Sequence, residues 1–526
     1  MIPKPTQFGM LLLSFCLTLT INIGTANAAN LGQWSNQNIN YNYNMMPTPD
    51  LARMDDGQAL IDRQQNLQVG EWALRQLNGN APLIQDPWLQ QSLEQLVWQI
   101  NAVAGLEAPL GIVVIDDRQI NAFAVPSGLF GMNIGLLDKA KTLDELVSVV
   151  AHEIAHVSQR HYQHRHDEKT KQLLLQAGGI LAGVAAAKVG DGNASTAVLL
   201  GSQAVAANAS AAYSRAQERE ADRIGMQLMR QAGYDVNAMP NFFTTLDQQN
   251  PIKNSTLIPS FMLSHPLTAD RLSEARSRAT RYDSAPNQKL SRGQLAAQVA
   301  HQQLFDQLQW RGRYLGHLVN KADLIQGAKN SEGAKLALIE HYLDNGEPTQ
   351  AASLIKDFEP QIHNAANPLA VIIYSRLLVS QGNIDQAITK LTQLATLYPE
   401  RMDIPLYISD IYLDHTPTSS KAQAALSLLQ PLSKQRPRDV AIWDRLAKAA
   451  QQLAKYSQGE LQINHQINML RYRAYSELWR NQLQAAVTSL SQAQQLTKNL
   501  GKPQAVNAVL NQQINQVQQA HQFKPN

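Results

Sequence analysis

The sequence places Ala151-His152-Glu153-Ile154-Ala155-His156 at the end of an apolar run with helical periodicity. Two histidines four residues apart lie on the same face of a helix, so both imidazoles can bind one metal ion. The glutamate between them faces the adjacent side, where it can accept a proton from a water molecule that the metal activates. The pattern predicts a zinc hydrolase in which His152 and His156 are metal ligands and Glu153 is the general base.

The segment before the motif indicates that this helix is buried. Thr142 and Glu145 have the spacing of a capping box, which satisfies the first free amides of a helix. Apolar residues then recur along the helix: Leu143, Leu146, Val147, Val149 and Val150. Because buried imidazoles need a partner such as a metal ion, we interpret the two histidines as ligands rather than as surface residues.

A catalytic zinc site needs a third protein ligand, which the residues directly after the motif do not supply in the metzincin pattern. A later segment, 214–225, starts with Ser214 and Gln217 at capping-box spacing and is typical of a helix. Glu218 and Asp222 lie four residues apart on one face of it. We predict that Glu218 binds the metal and that Asp222 serves catalysis by orienting a ligating histidine. The alternative is a solvated, charged helix surface.

These residues resemble the motifs of the gluzincin metalloproteases of the HtpX, Oma and CAAX-prenyl-protease family. Further matches are Asn121-Ala122-Phe123-Ala124-Val125-Pro126-Ser127-Gly128, with Ser127 in place of a glycine, and Ser264-His265-Pro266 with Arg271. The four motifs occur in the family's order and cover roughly residues 50–280. The resemblance implies a zinc endopeptidase with one Zn²⁺ per chain and Glu153 as general base.

The resemblance also implies that the loop around His265 lies near the active site. Pro266 restricts His265 to an extended conformation, as in a loop. Three interpretations remain open: His265 occupies the fourth metal position and holds the enzyme inactive, it stabilises the oxyanion of the tetrahedral intermediate, or it is an ordinary loop histidine. We favour the first interpretation, because a protease that is surrounded by unfolded proteins needs a means of limiting its activity.

Two short runs, 110–115 and 130–136, have the composition of β-strands. In proteases of this class an extended peptide commonly pairs with an edge strand beside the zinc ion. We predict that the second run is this edge and that Met132, Asn133 and Ile134 lie along the substrate. The alternative is an ordinary central strand.

The N-terminus has the pattern of a signal peptide. A positive charge at Lys4 precedes the apolar run 8–23, and Ala26-Asn27-Ala28 is typical of a cleavage site. Cleavage after Ala28 would remove Cys16, the only cysteine, and so leave no thiolate ligand. Because the resemblance points to a Gram-negative family, we predict that the protein is exported to the periplasm.

The segment after the zinc motif contains two further features. The small-residue, apolar stretch Leu173–Ala187 is interrupted by Gln176, so we interpret it as part of a helical hairpin near the active site rather than a membrane span. At most, we expect peripheral membrane contact. The histidines His161, His164 and His166 are interpreted as a solvated helix end rather than a second metal site.

The character of the sequence changes near residue 285. Helical patterns dominate from there, and Gly346 and Gly382 lie 36 residues apart in similar surroundings, close to the tetratricopeptide period of about 34. Repeats of this kind stack into a superhelix with a concave binding face; an unrelated helical bundle is the alternative. We predict a mostly α protein with three parts: a signal peptide (1–28), an α+β gluzincin metalloprotease domain with a small β-sheet (45–285), and an all-α tetratricopeptide-type superhelical domain (290–520).

Charge and domain order bear on the function. The chain has 45 Lys and Arg against 42 Asp and Glu, which gives a net charge of +3. The basic residues form no dense run, so we expect no nucleic acid partner.

A signal peptide, this protease domain and C-terminal repeats together resemble a periplasmic branch of the family. That branch implies degradation or assistance of unfolded or stalled outer-membrane β-barrel proteins, with the repeats recognising these clients and their assembly machinery. The alternative is a non-catalytic chaperone or scaffold with a structural zinc; the intact Glu153 argues against it.

Overall fold

The structure, a computed structural model, describes residues 56–107, 109–125, 127–161, 214–248, 260–283, 292–415, 417–501 and 503–524. Among the predicted features, the signal peptide, the stretch Leu173–Ala187 and the histidines His164 and His166 lie outside the described residues. None of the described helices combines the length and the apolar character of a membrane span.

The N-terminal half combines helices with one small sheet. The helices are α1 (Asp56–Asn80), α2 (Pro87–Val103), α3 (Ile134–Lys139), α4 (Leu143–Ser158), α5 (Arg215–Gln231), α6 (Ala238–Gln248), α7 (Ser260–Ser264) and α8 (Ala269–Asp283). The strands are β1 (Gly111–Ile115), β2 (Ala122–Val125) and β3 (Leu129–Asn133). The prediction of a mostly helical protein with a small sheet is confirmed.

The sheet has the strand order β1-β3-β2, with β3 in its centre. Met132 pairs with Val114 of the parallel neighbour β1 and with Ala122 of the antiparallel neighbour β2. The prediction that Met132, Asn133 and Ile134 form a substrate-binding edge is therefore wrong, because β3 is paired on both sides and Ile134 already begins α3. Every residue of β3 is buried, as is usual for a strand that is covered on both faces.

Helices α4 and α5 begin at the predicted caps. The Thr142 hydroxyl accepts a hydrogen bond from the Glu145 amide, and Ser214 and Gln217 form a complete capping box. The two helices pack closely because α5 carries Gly225 at the contact, where a Cβ atom would lie 3.3 Å from the backbone of Ala151. This close approach brings the first turns of α5 next to the zinc motif on α4.

The C-terminal half contains helices alone among its described residues. They are α9 (Arg292–Leu315), α10 (Lys321–Gly327), α11 (Glu332–Asp344), α12 (Pro348–Ile355), α13 (Glu359–His363), α14 (Pro368–Ser380), α15 (Ile384–Leu397), α16 (Ile404–Asp414), α17 (Ser419–Gln435), α18 (Val440–Tyr456), α19 (Gly459–Trp479), α20 (Leu483–Thr497) and α21 (Pro503–Gln522), with a 3₁₀ turn at Lys356–Phe358. Gly346 and Gly382 adopt φ of 71° and 80°, in the turns after α11 and α14. Both glycines of the repeat pattern thus occupy left-handed turns between paired helices.

The two halves share their hydrophobic cores. One cluster of buried side chains combines residues from 84–279 with residues from 305–411. A second combines residues from 73–129, including both outer strands, with residues from 406–517. Separating the halves would expose apolar surface on each, so we expect neither half to keep its full stability alone. The boundary near residue 285 stays a prediction.

A buried ion-pair network also joins the halves. Arg311 of α9 donates two hydrogen bonds, of 2.8 and 2.7 Å, to the carboxylate of Asp86, which caps α2. The same guanidinium contacts Glu340 of α11, and its carbon lies 5.8 Å from the centre of the Trp88 ring. Because both carboxylates are buried with it, their attraction outweighs desolvation and raises the pKa of Arg311 well above its ordinary value.

Removing Arg311 should therefore destabilise the whole chain. We expect Arg311→Ala to lower the free energy of unfolding by about 3–5 kcal/mol, because Asp86 would remain buried without its cation and Glu340 would keep only its ion pair with Arg376. The measurement is urea denaturation followed by circular dichroism. The control is Lys335→Ala, which breaks an ion pair with Asp357 that is partly exposed to solvent and should cost below ~1 kcal/mol. Equal unfolding midpoints for the two variants would contradict a structural role for the network.

Candidate zinc protease site

Helix α4 presents the three residues of the zinc motif in its last turns. His152, Glu153 and His156 are each no more than 3% exposed. The Nε2 atoms of His152 and His156 lie 3.1 Å apart, as expected when both rings project from one helix face. Two imidazole nitrogens this close and this deeply buried require a shared proton or a common cation.

Helix α5 supplies two carboxylates to the same place. Glu218 lies 3.4 Å from Nε2 of His156 and 3.5 Å from Nε2 of His152. One turn later, Asp222 lies 3.0 Å from Nδ1 of His152, on the opposite side of that imidazole. The predicted ligand and the predicted orienting carboxylate thus flank His152, each against a different ring nitrogen.

His265 joins this group from the segment between α7 and α8. Its Nδ1 atom lies 3.3 Å from Nε2 of His152 and 3.0 Å from Oε1 of Glu218. Its Nε2 atom lies 3.2 Å from Oε1 of Glu153. The imidazole of His265 therefore lies between the group of ligand atoms and the predicted general base.

The four residues His152, His156, Glu218 and His265 fit one zinc ion. Their donor atoms all lie within 4.8 Å of one another. Nitrogen ligands at 2.0–2.1 Å from a tetrahedral zinc ion are separated by about 3.4 Å, and the separations here include 3.1, 3.3 and 3.4 Å. Imidazole nitrogens and carboxylate oxygens are also donor atoms that bind zinc in proteins. The prediction of a zinc site is confirmed, and within the part of the chain that the structure describes this is the one group of such ligands.

The charges around the site also fit a divalent cation. Glu153, Glu218 and Asp222 are buried carboxylates, and Arg271 is the buried cation beside them. With these groups ionised and the ligating histidines neutral, three negative charges face one positive charge, and the resulting net charge of −2 is balanced by one Zn²⁺ ion. A buried, uncompensated charge of this size would otherwise be costly.

The ionisation of the motif residues follows from their surroundings. Burial lowers the pKa of His156 well below its ordinary value, which favours the neutral ring that a metal requires. Burial also opposes protonation of His152, but the carboxylates of Asp222 and Glu218 outweigh it and raise the pKa of His152 to about 9. Burial raises the pKa of Glu153, which makes its carboxylate a stronger base.

Arg271 of α8 holds the two α5 carboxylates in place. Its guanidinium donates hydrogen bonds of 2.8 Å to both oxygens of Asp222 and lies 2.6 Å from Oε2 of Glu218. Burial alone would raise the pKa of Asp222, but Arg271 and His152 lower it. The sequence motifs drew attention to Arg271 only through the family resemblance, and its contact with both carboxylates was not predicted.

His161 is not a solvated residue, and the prediction for it is wrong. The side chain is 3% exposed, and its Nδ1 atom lies 2.9 Å from Nδ1 of His156. It lies behind the ring of His156, on the side away from Nε2 and the other ligand atoms. His161 is thus a neighbour of a ligand rather than a member of the metal-binding group.

The edge strand beside Glu153 is β2. The amide of Asn133 donates to the carbonyl of Asn121 at 2.9 Å, so in antiparallel pairing the backbone groups of Ala122 and Ala124 point away from β3. The Ala124 amide donates to the carboxylate of Glu153. Among the described residues, no strand pairs with this outer side of β2.

Two histidines and a glutamate on α4, with a glutamate on a second helix, define a zinc metalloprotease site of the gluzincin class. Comparison with known proteins agrees: residues 84–279 match the model of peptidase family M48. This match agrees with the family resemblance that the sequence motifs indicated.

Several known proteins are similar in sequence to part of this chain. The beta-barrel assembly-enhancing protease (BepA) of Escherichia coli K12 is 35% identical over 216 residues, which cover 41% of this chain and 44% of that protein. The protease of the same name from Yersinia pestis is 34% identical over 239 residues, covering 45% and 48%. A mitochondrial metalloendopeptidase of Bos taurus is 30% identical over 162 residues, 30% of each chain. The chain spans about half the length of the BepA relatives it matches.

Proposed function

We propose that this protein is a zinc endopeptidase that acts on unfolded proteins. The observation that carries the proposal is the convergence of His152, His156 and Glu218 beside the buried carboxylate of Glu153. His152, His156 and Glu218 would hold the ion. A bound zinc ion supplies a Lewis acid that polarises the scissile carbonyl and acidifies water.

The chain's own groups account for the remaining chemistry. Glu153 accepts a proton from the attacking water and returns it to the leaving amine, a role suited to its raised pKa. The carboxylate of Asp222, 3.0 Å from Nδ1 of His152, would hold the ring proton on Nδ1 and so keep the lone pair of Nε2 toward the metal position. Arg271 keeps both α5 carboxylates in position during these steps.

The outer side of β2, which pairs with no other described strand, suits an extended peptide. Substrate backbone would pair with the outward groups of Ala122 and lie across Glu153, as in strand addition to a sheet edge. Hydrogen bonds to the main chain depend on an extended backbone more than on the identity of the side chains. This kind of binding therefore favours unfolded segments. The matched relatives are named for the assembly of β-barrels. We infer that the substrates of this protein are unfolded or stalled outer-membrane β-barrel proteins. We also infer that it encounters them in the periplasm, after its own signal peptide has been cleaved off after Ala28.

We infer that the helices from α11 onward form a tetratricopeptide-type array that recognises clients or their assembly machinery. Ion pairs that connect helices one period apart support this inference. Glu340 pairs with Arg376, 36 residues later, and Asp410 pairs with Arg445, 35 residues later. Asp444 pairs with Arg480 at a separation of 36 residues. Repeating contacts at a nearly constant separation are expected when equivalent helices stack in register.

We infer that His265 caps the metal position in the resting enzyme. Its Nδ1 atom lies among the ligand atoms and its Nε2 atom contacts the base, so the imidazole fills the space between the metal position and Glu153. The position would open when the segment between α7 and α8 moves. We favour the oxyanion interpretation less, because it requires the fourth metal position to be open for a water molecule.

The variant His265→Ala tests both the cap and the protease function. If the cap closes ~90% of the molecules, removing it should raise proteolysis about tenfold. The measurement is the rate at which fragments form from a urea-unfolded outer-membrane β-barrel protein, with zinc content determined on the same sample. The exposed histidine His363 provides the control His363→Ala, which should cleave at the wild-type rate.

Each alternative predicts a different result. A lower rate for zinc-replete His265→Ala would indicate oxyanion stabilisation, and an unchanged rate would leave an ordinary loop histidine. If neither the wild type nor His265→Ala yields fragments while both contain zinc and suppress aggregation of the client, the non-catalytic chaperone would replace the endopeptidase.

A further inference from the structure

The C-terminus of α4 ends in a turn that brings His161 back to the zinc motif. Arg160 adopts a left-handed conformation with φ of 51°. The amide of His161 then donates to the carbonyl of His156 at 3.1 Å, and the amide of Arg160 donates to Val157 at 3.0 Å. These are the two hydrogen bonds of a Schellman motif, in which the side chains at the positions of His156 and His161 normally make an apolar contact. Here that contact joins two imidazoles.

The contact between Nδ1 of His156 and Nδ1 of His161 determines which of the two atoms carries the proton when His156 is a ligand. Nε2 of His156 must be unprotonated to face the metal group, so the ring proton is on Nδ1. Nδ1 of His161, 2.9 Å away, must then accept that proton, which leaves the proton of His161 on Nε2. Nε2 of His161 in turn faces Oε2 of Glu220 at 3.3 Å.

The main chain of His161 is held as well. Its carbonyl accepts a hydrogen bond of 3.1 Å from the side chain of Gln217, the residue that completes the capping box of α5. The first turn of α5, which carries Glu218, is thereby tied to the end of α4, which carries His156. The hydrogen bond to its carbonyl, the contact with His156 and the contact with Glu220 together hold the ring of His161 in place.

We propose that His161 is a positioning residue that sets the tautomer and orientation of His156 for zinc, as Asp222 does for His152. The inference rests on the proposed zinc site and adds a residue that the His-Glu-x-x-His pattern does not contain. The two ligating histidines of α4 are then each supported through Nδ1, one by a carboxylate and the other by a neutral imidazole. His161 is not itself a ligand, because its Nδ1 atom faces the far side of His156 from the metal group.

The test is the zinc affinity of the full chain, measured by competition with a chromophoric chelator. His161→Phe keeps a ring of similar shape in the buried turn but cannot accept the proton of His156. We expect it to bind zinc 10–100-fold more weakly than the wild type. His161→Gln restores an acceptor oxygen and should recover part of the affinity. Glu220→Ala should have a smaller effect than His161→Phe, because the side chain of Glu220 is 43% exposed. His363→Ala is the matched control.

A spectroscopic measurement separates positioning from a general effect on folding. With cobalt in place of zinc, His161→Phe should shift the d–d absorption bands, whereas His161→Gln and His363→Ala should resemble the wild type. Wild-type zinc affinity in His161→Phe, or equal losses in His161→Phe and His161→Gln with unchanged cobalt spectra, would overturn the proposal. If the wild-type chain itself bound no zinc, the proposed function would fail first.

Discussion

Replacing Glu153 by glutamine should remove most peptide cleavage while the protein keeps its fold and its zinc. The amide cannot take a proton from water, and general-base catalysis of this kind contributes a factor of roughly 10²–10⁴ to the rate. The replacement has nearly the same shape, and its oxygen can still accept the hydrogen bond from the Ala124 amide. The measurement is the rate of fragment formation from an unfolded β-barrel protein at equal zinc content.

The matched control for this variant is Glu332→Gln, the same chemical change at an exposed position on α11. It should cleave like the wild type. To avoid a low basal rate, both changes can also be compared in the His265→Ala background. Wild-type turnover by zinc-replete Glu153→Gln would rule out this glutamate as the base.

Removing Glu218 should empty the metal site. We expect Glu218→Ala to weaken zinc binding by more than ~100-fold, because it removes a ligand, whereas loss of a residue that only orients a ligand costs about 10–100-fold. Asp222→Ala should therefore fall in that smaller range. Zinc content after dialysis against a weak chelator measures the effect directly.

Glu220→Ala is the matched control on the same helix. Its carboxylate lies two residues from Glu218 and contacts Arg223 and His161 rather than the metal group. It should retain most of its zinc. Full occupancy in Glu218→Ala together with an empty site in Glu220→Ala would mean that the ligand lies half a helical turn away from the one assigned here.

Local sequence patterns were sufficient for the helices that carry the site. The caps at Thr142 and Ser214 fixed the starts of α4 and α5, and helical spacing placed His152 with His156 and Glu218 with Asp222. These features depend on residues three or four apart, so they can be recognised without knowing the fold.

The errors concern features that local patterns do not determine. The position of β3 in the centre of the sheet depends on pairing with two other strands, and the residues of β3 do not identify those partners. The return of His161 to His156 depends on a left-handed turn at Arg160, a position where glycine is the usual signal. Arginine at that position gave no indication of the turn.

Contacts between distant parts of the chain were also beyond the sequence patterns. Asp86 and Arg311 are 225 residues apart, and neither occurs in a sequence motif from which its partner could be identified. The shared cores likewise combine segments from both sides of residue 285. A change of composition predicted a boundary near residue 285, but it could not show how extensively the residues on its two sides pack together.

The most direct test of the central claim is the position of the metal in crystals of the zinc-loaded protein, located by anomalous diffraction at the zinc absorption edge. We predict one peak per chain, about 2.0–2.2 Å from Nε2 of His152, Nε2 of His156 and a carboxylate oxygen of Glu218. A fully occupied peak that is not bonded to Glu218, or zinc-loaded crystals without a peak between α4 and α5, would contradict the account.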